Sequence, residues 1–489
     1  MLTCQSVNLV KSFTPAPLLL SPRALFLVFF LSCFLPAGPR APLATTPLDP
    51  ILATPSQDEA LYAHGILRMA AGEDWLTPRF LGRPLLVKPP LLQWLSATSV
   101  QLFGPNTLAL RLPSILASAA VLTIVFHLTG PVGWVLLATN PFWRHRAGLL
   151  LMDDLLTLFY LLALLVLLRD PKLLRTQSAA LFGLFVGLAV MTKWFAGLLP
   201  LGLLLYTRPR LPSLLPLTLS LALTALPWHL YQLATNPDWF LAEYLGVEFL
   251  SFALAAPTQA STDSHLSYYL PRLLYLLPCA APLLLRRWHS FWLVWSAILL
   301  AAIALYSYRN TAYLAPLTPA LLLCYRGWIP PLFLPLSLAL FVPWPPPHPQ
   351  IPLSLAFAGR EVLHLDPDDQ LRTSLQPGAT VRYIFLTAHL PPNGALDFEK
   401  LGIARRVPDF LLHPGPAVDA VLAADLAELQ QLILASPQRD FLLPQKVWFA
   451  LNLATPHHDK IQLSHKIRLR SRNPAPGPRP TPIPLLAEF

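Results

Sequence analysis

Charged and polar side chains interrupt an otherwise apolar chain at five places, and these residues are the ones best suited to chemistry. A carboxylate can remove a proton from an attacking hydroxyl, and cations can stabilise a phosphate that departs as an anion. Ionisable groups beside a membrane interior are costly to keep and therefore mark function. The set predicts a reaction on an anionic, lipid-linked substrate; its members are Asp58, Glu59 and Lys88; Arg146, Asp153 and Asp154; Lys193; Glu243, Glu248 and His265; and Arg309, Asn310 and Tyr313.

The composition indicates a membrane protein. Of the 489 residues, 54% are hydrophobic and 12% are charged, whereas roughly a quarter of a soluble chain is charged. The apolar residues form long runs, which excludes a disordered chain, a coiled coil and a disulfide-rich secreted scaffold. The net charge of +10 comes from basic residues scattered at the ends of those runs, so membrane topology explains it better than a nucleic-acid surface. The four cysteines lack metal-ligand spacing, and we expect neither a disulfide nor a zinc site.

The hydropathy pattern predicts an all-α polytopic membrane protein with about 11 (±2) transmembrane helices. Several of the apolar runs are shorter than the ~20 residues that a spanning helix usually needs. The first run is longer than the apolar part of a signal peptide and lacks a clear cleavage site, so we expect it to be retained. The runs are residues 18–36, 111–129, 132–147, 150–168, 178–192, 195–207, 213–229, 267–285, 290–306, 312–325 and 329–343.

The loop charges predict the orientation of these spans. If the N-terminus is cytoplasmic, the connectors on the outer side of the membrane are residues 37–110, 148–149, 193–194, 230–266 and 307–311. These connectors hold most of the acidic residues. Basic residues concentrate on the cytoplasmic side of membrane proteins. We therefore predict a multi-pass protein of the cell inner membrane with its chemistry at the outer face. The cytoplasmic connectors would contain Asp170 as their one acid, beside Arg169, Lys172, Arg175, Arg208, Arg210, Arg286, Arg287 and Arg326.

The chain divides into two predicted domains. Residues 1–343 form the membrane domain, with residues 37–110 as its first outer loop. Residues 344–489 form a small extracytoplasmic α/β domain, preceded by the Pro-rich linker PWPPPHPQ and ended by a Pro-rich tail. Short strand-like runs such as VRYIFLTAHL and a helical pattern at residues 418–434 support this prediction.

The first outer loop resembles that of a known enzyme family. The stretch DEALYAHGILRMAAGEDWLTPRFLGRPLLVKPPLLQWL, residues 58–95, resembles the corresponding loop of the membrane-embedded glycosyltransferases of family 39. That family includes protein O-mannosyltransferases and aminoarabinose transferases of lipid A. Weaker similarities continue, in order, to about residue 321. The matching features are Asp58-Glu59, Tyr62-Ala63, Gly72-x-Asp74-Trp75-Leu76, Pro78-Arg79, Lys88-Pro89-Pro90, Trp94, Gly104 and Arg111-Leu112-Pro113-Ser114.

The resemblance implies a GT-C fold and an inverting glycosyltransferase. Such an enzyme moves a sugar from a polyprenyl-phosphate carrier to an acceptor hydroxyl on a lipid, a protein or a glycan. Inversion needs one base on the acceptor, and the phosphate leaving group needs neutralising charge more than a general acid. The implied partners are the lipid-linked donor, the acceptor and membrane lipids, without nucleic acid. The implied site has Asp58 and Glu59 as catalytic carboxylates, Lys88, Lys193, Arg309 and Tyr313 as donor-phosphate contacts, and Asp153, Trp75 and Trp94 as supporting residues.

Three positions depart from the family pattern. Leu61 stands where relatives often carry Arg, Arg309 stands where many carry Lys, and Val87 stands where an acid often precedes the Lys-Pro pair. The absence of an acid at Val87 weakens a divalent-metal site, because hard cations need several oxygen ligands. We therefore assign no metal ligand and no certain cofactor, and leave a divalent cation open.

Two other function classes fit a polytopic chain. A secondary transporter or lipid flippase without transferase activity would show repeated hydropathy patterns and polar residues at the midplane of the membrane. We find no convincing repeat, and the candidate charges lie at one face. A non-catalytic membrane scaffold would not require Asp58 and Lys88 to converge on one cavity.

Overall fold

The structure is a computed structural model of the chain, and most of the membrane domain is described. The described residues are 21–34, 57–80, 83–144, 146–241, 244–246, 265–306, 309–339, 361–364, 380–386, 420–423, 426–438, 440–444, 451, 458–463 and 466–472.

Helices dominate the region up to residue 339. The main ones are α1 (Pro22–Phe34), α2 (Gln57–Ala70), α3 (Leu91–Phe103), α4 (Thr107–Thr139), α5 (Met152–Arg169), α6 (Thr176–Lys193), α7 (Leu211–Thr235), α8 (His265–Leu273), α9 (Ser290–Leu305), α10 (Leu317–Leu323) and α11 (Leu334–Ala339). One-turn helices cover Pro141–Arg144, Leu204–Thr207, Pro237–Trp239 and Leu277–Ala280, and 3₁₀ helices cover Trp194–Leu203, Leu274–Leu276, Ala281–Leu285, Thr311–Leu314 and Pro331–Phe333.

Several of these helices can span a membrane. Within the described residues, four helical stretches are long and apolar enough, namely Thr107–Thr139, Thr176–Thr207, Leu211–Thr235 and Tyr268–Leu285, although the first two are interrupted at Gly130 and at Lys193–Trp194. Shorter apolar helices cover Ala24–Cys33, Ser290–Leu305 and Thr311–Leu323. The predicted multi-pass membrane architecture is therefore confirmed, whereas the number of eleven spans stays a prediction.

Two predicted breaks between spans coincide with irregular backbone. Gly130 interrupts α4 with φ 80° and ψ −176°, and Pro131 follows it. At the second break, Trp194 has φ 39°, directly after α6 ends at Lys193. A Cβ on Gly197 would lie 2.2 Å from the backbone nitrogen of Val190. The chain therefore reverses direction at Lys193–Trp194, and the 3₁₀ helix returns against the end of α6.

Small residues bring α6 and α7 into close contact. A Cβ on Gly183 would lie 2.2 Å from the carbonyl oxygen of Leu217, and one on Gly187 would lie 2.7 Å from Cβ of Thr224. Paired glycines four residues apart allow helix backbones to approach in a membrane. Because α6 ends at Lys193, this contact also sets the position of that lysine.

The opposite face of α7 is apolar and exposed. Leu211, Leu215 and Leu223 are each more than half exposed. Such a surface is unfavourable in water and favourable against lipid tails. The face therefore supports a transmembrane position for α7.

Strands are confined to two places among the described residues. The first outer loop contains the antiparallel pair β1 (Arg79–Phe80) and β2 (Arg83–Pro84). The described elements beyond residue 360 are β3 (Glu361–His364), β4 (Thr380–Leu386), β5 (Ala420–Ala423), α12 (Leu426–Ala435), β6 (Asp440–Pro444), β7 (His458–Leu463) and β8 (Lys466–Ser471). The six strands form one sheet in the order β5-β4-β3-β6-β8-β7, in which β7 and β8 are antiparallel to their neighbours. The assignment of residues 344–489 as a separate extracytoplasmic α/β domain stays a prediction.

Candidate active site

Hydrogen bonds join the first outer loop to α7 and join two parts of the loop to each other. The carbonyl oxygen of Leu76 accepts from Nε1 of Trp228 at 2.7 Å and from Nε2 of Gln232 at 2.6 Å, both on α7. Nε1 of Trp94 on α3 donates to the carbonyl oxygen of Trp75 at 2.6 Å. These bonds hold the loop across the ends of two helices, and the segment with Lys88 lies between them in sequence.

Glu59 forms a buried ion pair that joins three segments. Its carboxylate accepts from Nε of Arg111 at 2.5 Å and from the second guanidinium nitrogen at 2.9 Å, and the backbone N–H of Leu150 donates to it at 2.9 Å. The residue is 3% exposed. A bidentate guanidinium–carboxylate contact is specific in its geometry. Glu59 therefore fixes α2 to α4 and to the turn before α5.

Asp153 lies at the start of α5 and contacts two cations. Nζ of Lys193 is 2.7 Å from Oδ1, and Nε of Arg146 is 2.7 Å from Oδ2. The neighbouring Asp154 accepts from the backbone N–H of Gly148 at 2.7 Å, which shapes the turn that carries Arg146. Each oxygen of Asp153 therefore holds one cation, and the carboxylate sets the position of both.

The segment around Asn310 and Tyr313 lies next to Lys193 of the Asp153–Arg146–Lys193 cluster. Asn310 caps the 3₁₀ helix Thr311–Leu314 by accepting from the backbone N–H of Ala312 at 2.9 Å, and its own N–H donates to the hydroxyl of Tyr269 at 3.2 Å. The ring of Tyr313 lies 5.4 Å from Nζ of Lys193, within range of a cation–π contact. The edge of Tyr306 packs against Tyr313 with their centroids 5.6 Å apart.

These segments surround a cavity of about 410 Å³. Its charged lining residues are Lys88, Arg146, Asp153 and Lys193, and two of these three cations, Arg146 and Lys193, contact the carboxylate of Asp153. Apolar lining residues come from α9 and from the 3₁₀ helix that follows α6. The remaining lining residues are Tyr62, Val87, Leu151, Met152, Leu156, Tyr160, Trp194, Phe195, Ala196, Leu199, Leu299, Ala302, Ile303, Tyr306, Asn310, Ala312, Tyr313 and Pro316.

The predicted site residues fall into three groups. Lys88, Lys193, Tyr313 and Asp153 line the cavity together. Glu59, Trp75, Trp94 and Arg309 are not among the lining residues. Asp58 belongs to α2, but its side chain lies outside the described residues, as do Glu243 and Glu248. The assigned roles in catalysis and in phosphate binding stay predictions for all of them.

Arg146 is one of the charged candidates named from the sequence, but the site implied by the resemblance gives it no role, and several aromatic lining residues are not in that site either. Arg146 stands in the sequence WRHRAG, where two arginines lie close together and the sequence does not show which one faces inward. The structure places Arg146 on Asp153, and Arg144 is 4% exposed outside the lining. The position of Arg146 at the same predicted outer turn as Asp153 and Asp154 made it a candidate, but it did not indicate a contact with Asp153.

The arrangement suits an anion with an apolar tail. Cations held in fixed positions stabilise negative charge, and apolar lining residues suit a hydrocarbon chain. Among the residues that the structure describes, no three His, Cys, Asp or Glu side chains form a group that could hold a metal ion.

Similar proteins were found for most of the membrane domain. Residues 87–228 match the family model of dolichyl-phosphate-mannose-protein mannosyltransferase. Undecaprenyl phosphate-alpha-4-amino-4-deoxy-L-arabinose arabinosyl transferase of Edwardsiella ictaluri is 31% identical over 45% of this chain and 44% of its own length. The protein of the same name from Pseudomonas aeruginosa is 28% identical over 58% of this chain and 57% of its own length. The chain thus spans about half the length of the curated relatives it matches.

A solved structure has the same fold over nearly the whole chain. The crystal structure of ArnT from Cupriavidus metallidurans bound to undecaprenyl phosphate superposes with a TM-score of 0.61 at 16% sequence identity, and it covers 91% of this chain and 96% of its own. Its apo structure superposes with a TM-score of 0.58. The predicted resemblance to membrane-embedded glycosyltransferases is confirmed, because residues 87–228 match the mannosyltransferase family model and the chain shares the fold of the Cupriavidus structure.

Proposed function

We propose that the chain is an inverting glycosyltransferase that moves a sugar from a polyprenyl-phosphate carrier to an acceptor hydroxyl. The observation that carries this proposal is the cavity in which Arg146 and Lys193 contact Asp153, with Lys88 and many apolar side chains also on the lining. The matching relatives and the Cupriavidus structure supply the class of donor, since their names include an undecaprenyl-phosphate carrier. The orientation predicted from the loop charges puts this reaction at the outer face of the inner membrane.

The reaction needs two kinds of charged group. Asp58 accepts the proton of the acceptor hydroxyl while the hydroxyl oxygen attacks the anomeric carbon, and the bond from that carbon to the phosphate oxygen breaks. The phosphate departs with an additional negative charge, which Lys193 and Arg146 stabilise because Asp153 holds both in place. Lys88 adds a third cation to the lining of the cavity. Glu59 has a structural role through Arg111.

Binding of the carrier tests the phosphate assignment. Purified protein in lipid nanodiscs would be titrated with undecaprenyl phosphate and, separately, with undecaprenol, which lacks the phosphate. We expect Lys193→Ala to weaken binding of the phosphate form about tenfold or more, with undecaprenol unaffected. Lys172→Ala is the matched control, because Lys172 lies in the connector between α5 and α6. Equal binding of the two lipids by the parent protein would refute the proposal.

Transfer itself tests the base. Asp58→Asn should abolish transfer and leave the thermal stability of the protein in detergent unchanged. Mass spectrometry of lipids and glycoproteins from cells without the gene, compared with the parent strain, would identify the acceptor. Full transfer activity in the purified Asp58→Asn variant would contradict the assignment.

The transporter or flippase alternative makes a different prediction. A flippase would move undecaprenyl-linked lipid across a vesicle membrane without cleaving its sugar–phosphate bond. Translocation by the Asp58→Asn variant at the parental rate, without any cleavage by the parent, would favour it.

A further inference from the structure

We infer that the chain binds an anionic phospholipid at the end of the membrane domain opposite the cavity. This lipid site lies at the start of α9, whereas Ala302 and Ile303 near the other end of the same helix line the cavity. Because α9 has 16 residues, its two ends are about 24 Å apart. The lipid site is therefore separate from the cavity and does not depend on the proposed function. Its residues are Arg286, Arg287, Trp288, Arg326 and Trp328.

Two connectors between helices pair their backbones at the lipid site. Trp288 and Tyr325 form an antiparallel bridge, and the N–H of Arg326 donates to the carbonyl oxygen of Arg287 at 2.8 Å. Arg287 and Arg326 are thus the next facing pair, and residues directly opposite each other have Cβ atoms about 5 Å apart. Like charges in that position are destabilising. The backbone pairing therefore brings two cations together at a cost in stability.

A third connector holds the same segment against α4. The N–H of Ile329 donates to the carbonyl oxygen of Thr129 at 2.9 Å, and a Cβ on Gly130 would lie 2.9 Å from Cδ2 of Trp328. Gly130 is the residue at which α4 is interrupted. The lipid site is thus built on three connectors whose backbones are held by hydrogen bonds and packing.

The arginines of the lipid site favour an anionic ligand. Arg286, Arg287 and Arg326 are all exposed, so an anion outside the fold can reach them. A phosphate between Arg287 and Arg326 replaces their mutual repulsion by charge-assisted hydrogen bonds to both guanidinium groups. Arg286 precedes Arg287 in the chain and adds a third positive charge.

Apolar side chains beside the arginines favour a lipid over free phosphate. Trp288 and Trp328 are 54% and 47% exposed, and Leu284 is 80% exposed. Nε1 of Trp288 donates to the carbonyl oxygen of Leu283 at 2.7 Å, which holds the ring in place. Tryptophan is enriched where headgroups meet hydrocarbon in a membrane. A ligand with a phosphate and acyl chains can contact both the arginines and this apolar surface, whereas free phosphate contacts only the arginines.

Native mass spectrometry tests the lipid site. Purified full-length protein in detergent would be titrated with phosphatidylglycerol, with phosphatidylcholine and with glycerol 1-phosphate, which has the phosphate without acyl chains. We expect the protein to bind phosphatidylglycerol about tenfold more tightly than phosphatidylcholine, and to bind glycerol 1-phosphate more weakly than phosphatidylglycerol. Equal affinities for the two lipids, or equal affinities for glycerol 1-phosphate and phosphatidylglycerol, would overturn the inference.

Matched variants locate the preference for phosphatidylglycerol. Arg287→Gln with Arg326→Gln should remove most of it. Arg208→Gln with Arg210→Gln should retain it, because these two arginines are also exposed but belong to another connector. Lys193→Ala, which removes a cation of the cavity, should retain it as well. A loss in either control as large as in the first variant would show binding by general charge or in the cavity, and would contradict the lipid site.

Thermal unfolding separates lipid binding from a structural role of the two facing arginines. In nanodiscs of phosphatidylcholine, Arg287→Gln with Arg326→Gln should unfold at the parental temperature or above it, because a repulsion is removed. In nanodiscs of phosphatidylglycerol, the parent should be stabilised by bound lipid, and the variant should be stabilised less. A variant that is less stable than the parent by the same amount in both lipids would show that the arginines support the fold, and would refute the lipid site.

Discussion

Two buried carboxylates of this chain have similar surroundings and different consequences. Glu59 and Asp153 are each 3% exposed, and each lies within 3 Å of an arginine. The carboxylate of Glu59 accepts hydrogen bonds from two guanidinium nitrogens of Arg111 and from the backbone N–H of Leu150. Asp153 divides its two oxygens between Arg146 and Lys193, and both of those cations line the cavity.

The difference shows that burial of a carboxylate does not by itself identify an active site. The position of its cationic partners is what identifies the site, because a cation that lines a cavity can contact a ligand. A cation enclosed by helices cannot. Glu59 therefore contributes to the frame, while Asp153 contributes to the position of charges that meet the donor.

Loss of the Glu59 charge should have the largest effect on stability. Glu59→Gln leaves Arg111 without its counter-charge, and breaking a buried ion pair costs about 3–5 kcal/mol. Denaturant titration in detergent would measure the loss, and the protein that remains folded should keep its transfer activity. The double variant Glu59→Gln with Arg111→Met should recover part of the stability. A stable Glu59→Gln variant without activity would reverse the assignment of the two carboxylates.

Loss of the Asp153 charge should act mainly on the reaction. In Asp153→Asn the two cations repel each other and lose their positions, so we expect transfer to fall about 100-fold. Steady-state kinetics at varied donor concentration would show whether the loss appears in kcat. The pH profile of kcat would also shift if the loss of the carboxylate changed the surroundings of Arg146 and Lys193. Parental activity in this variant would remove the distinction drawn between Asp153 and Glu59.

A smaller effect is expected where neutral hydrogen bonds hold the first outer loop. Trp228→Phe removes one of the two side-chain donors to the carbonyl oxygen of Leu76, and a hydrogen bond contributes about 0.5–1.5 kcal/mol. Thermal unfolding in detergent would report this. Gln232→Leu added to Trp228→Phe should destabilise by more than the sum of the two single changes, because only the double variant leaves the carbonyl without either donor. Additive losses would argue against a shared acceptor.

The smallest effect belongs to an ion pair outside the core. Arg68 and Glu73 are 2.8 Å apart, with side chains 42% and 39% exposed. An exposed pair contributes about 0–1 kcal/mol, so Arg68→Gln should scarcely change the unfolding midpoint. A loss as large as that of Glu59→Gln would show that burial is not what separates these ion pairs.

The sequence predicted the membrane class and the family because both depend on local features. Long apolar runs identify a membrane chain, and the segment from Asp58 to Trp94 carries enough fixed residue types to identify a glycosyltransferase loop. The gathering of Lys88, Asp153 and Lys193 could also be predicted, since the alternation of loops brings their segments to one face. Their roles depend on a bound donor and stay predictions.

Helix continuity and ion pairing could not be predicted in the same way. Hydropathy shows that residues 195–207 are apolar, but not that much of this run is a 3₁₀ helix that folds back on α6 at Gly197. Likewise, the choice between Arg144 and Arg146 as the partner of Asp153 depends on the turn geometry set by Asp154 and Gly148. These are three-dimensional contacts that leave no regular spacing in the sequence.

The glycine contact between α6 and α7 makes the position of Lys193 sensitive to distant changes. Gly187 is six residues from Lys193, or about 9 Å along a helix. A single added methyl group at Gly187 would push α6 away from α7 at this point and change the tilt of α6. Changes in sugar preference should therefore arise by substitution of side chains that line the cavity, whereas the contact between α6 and α7 should not tolerate larger side chains.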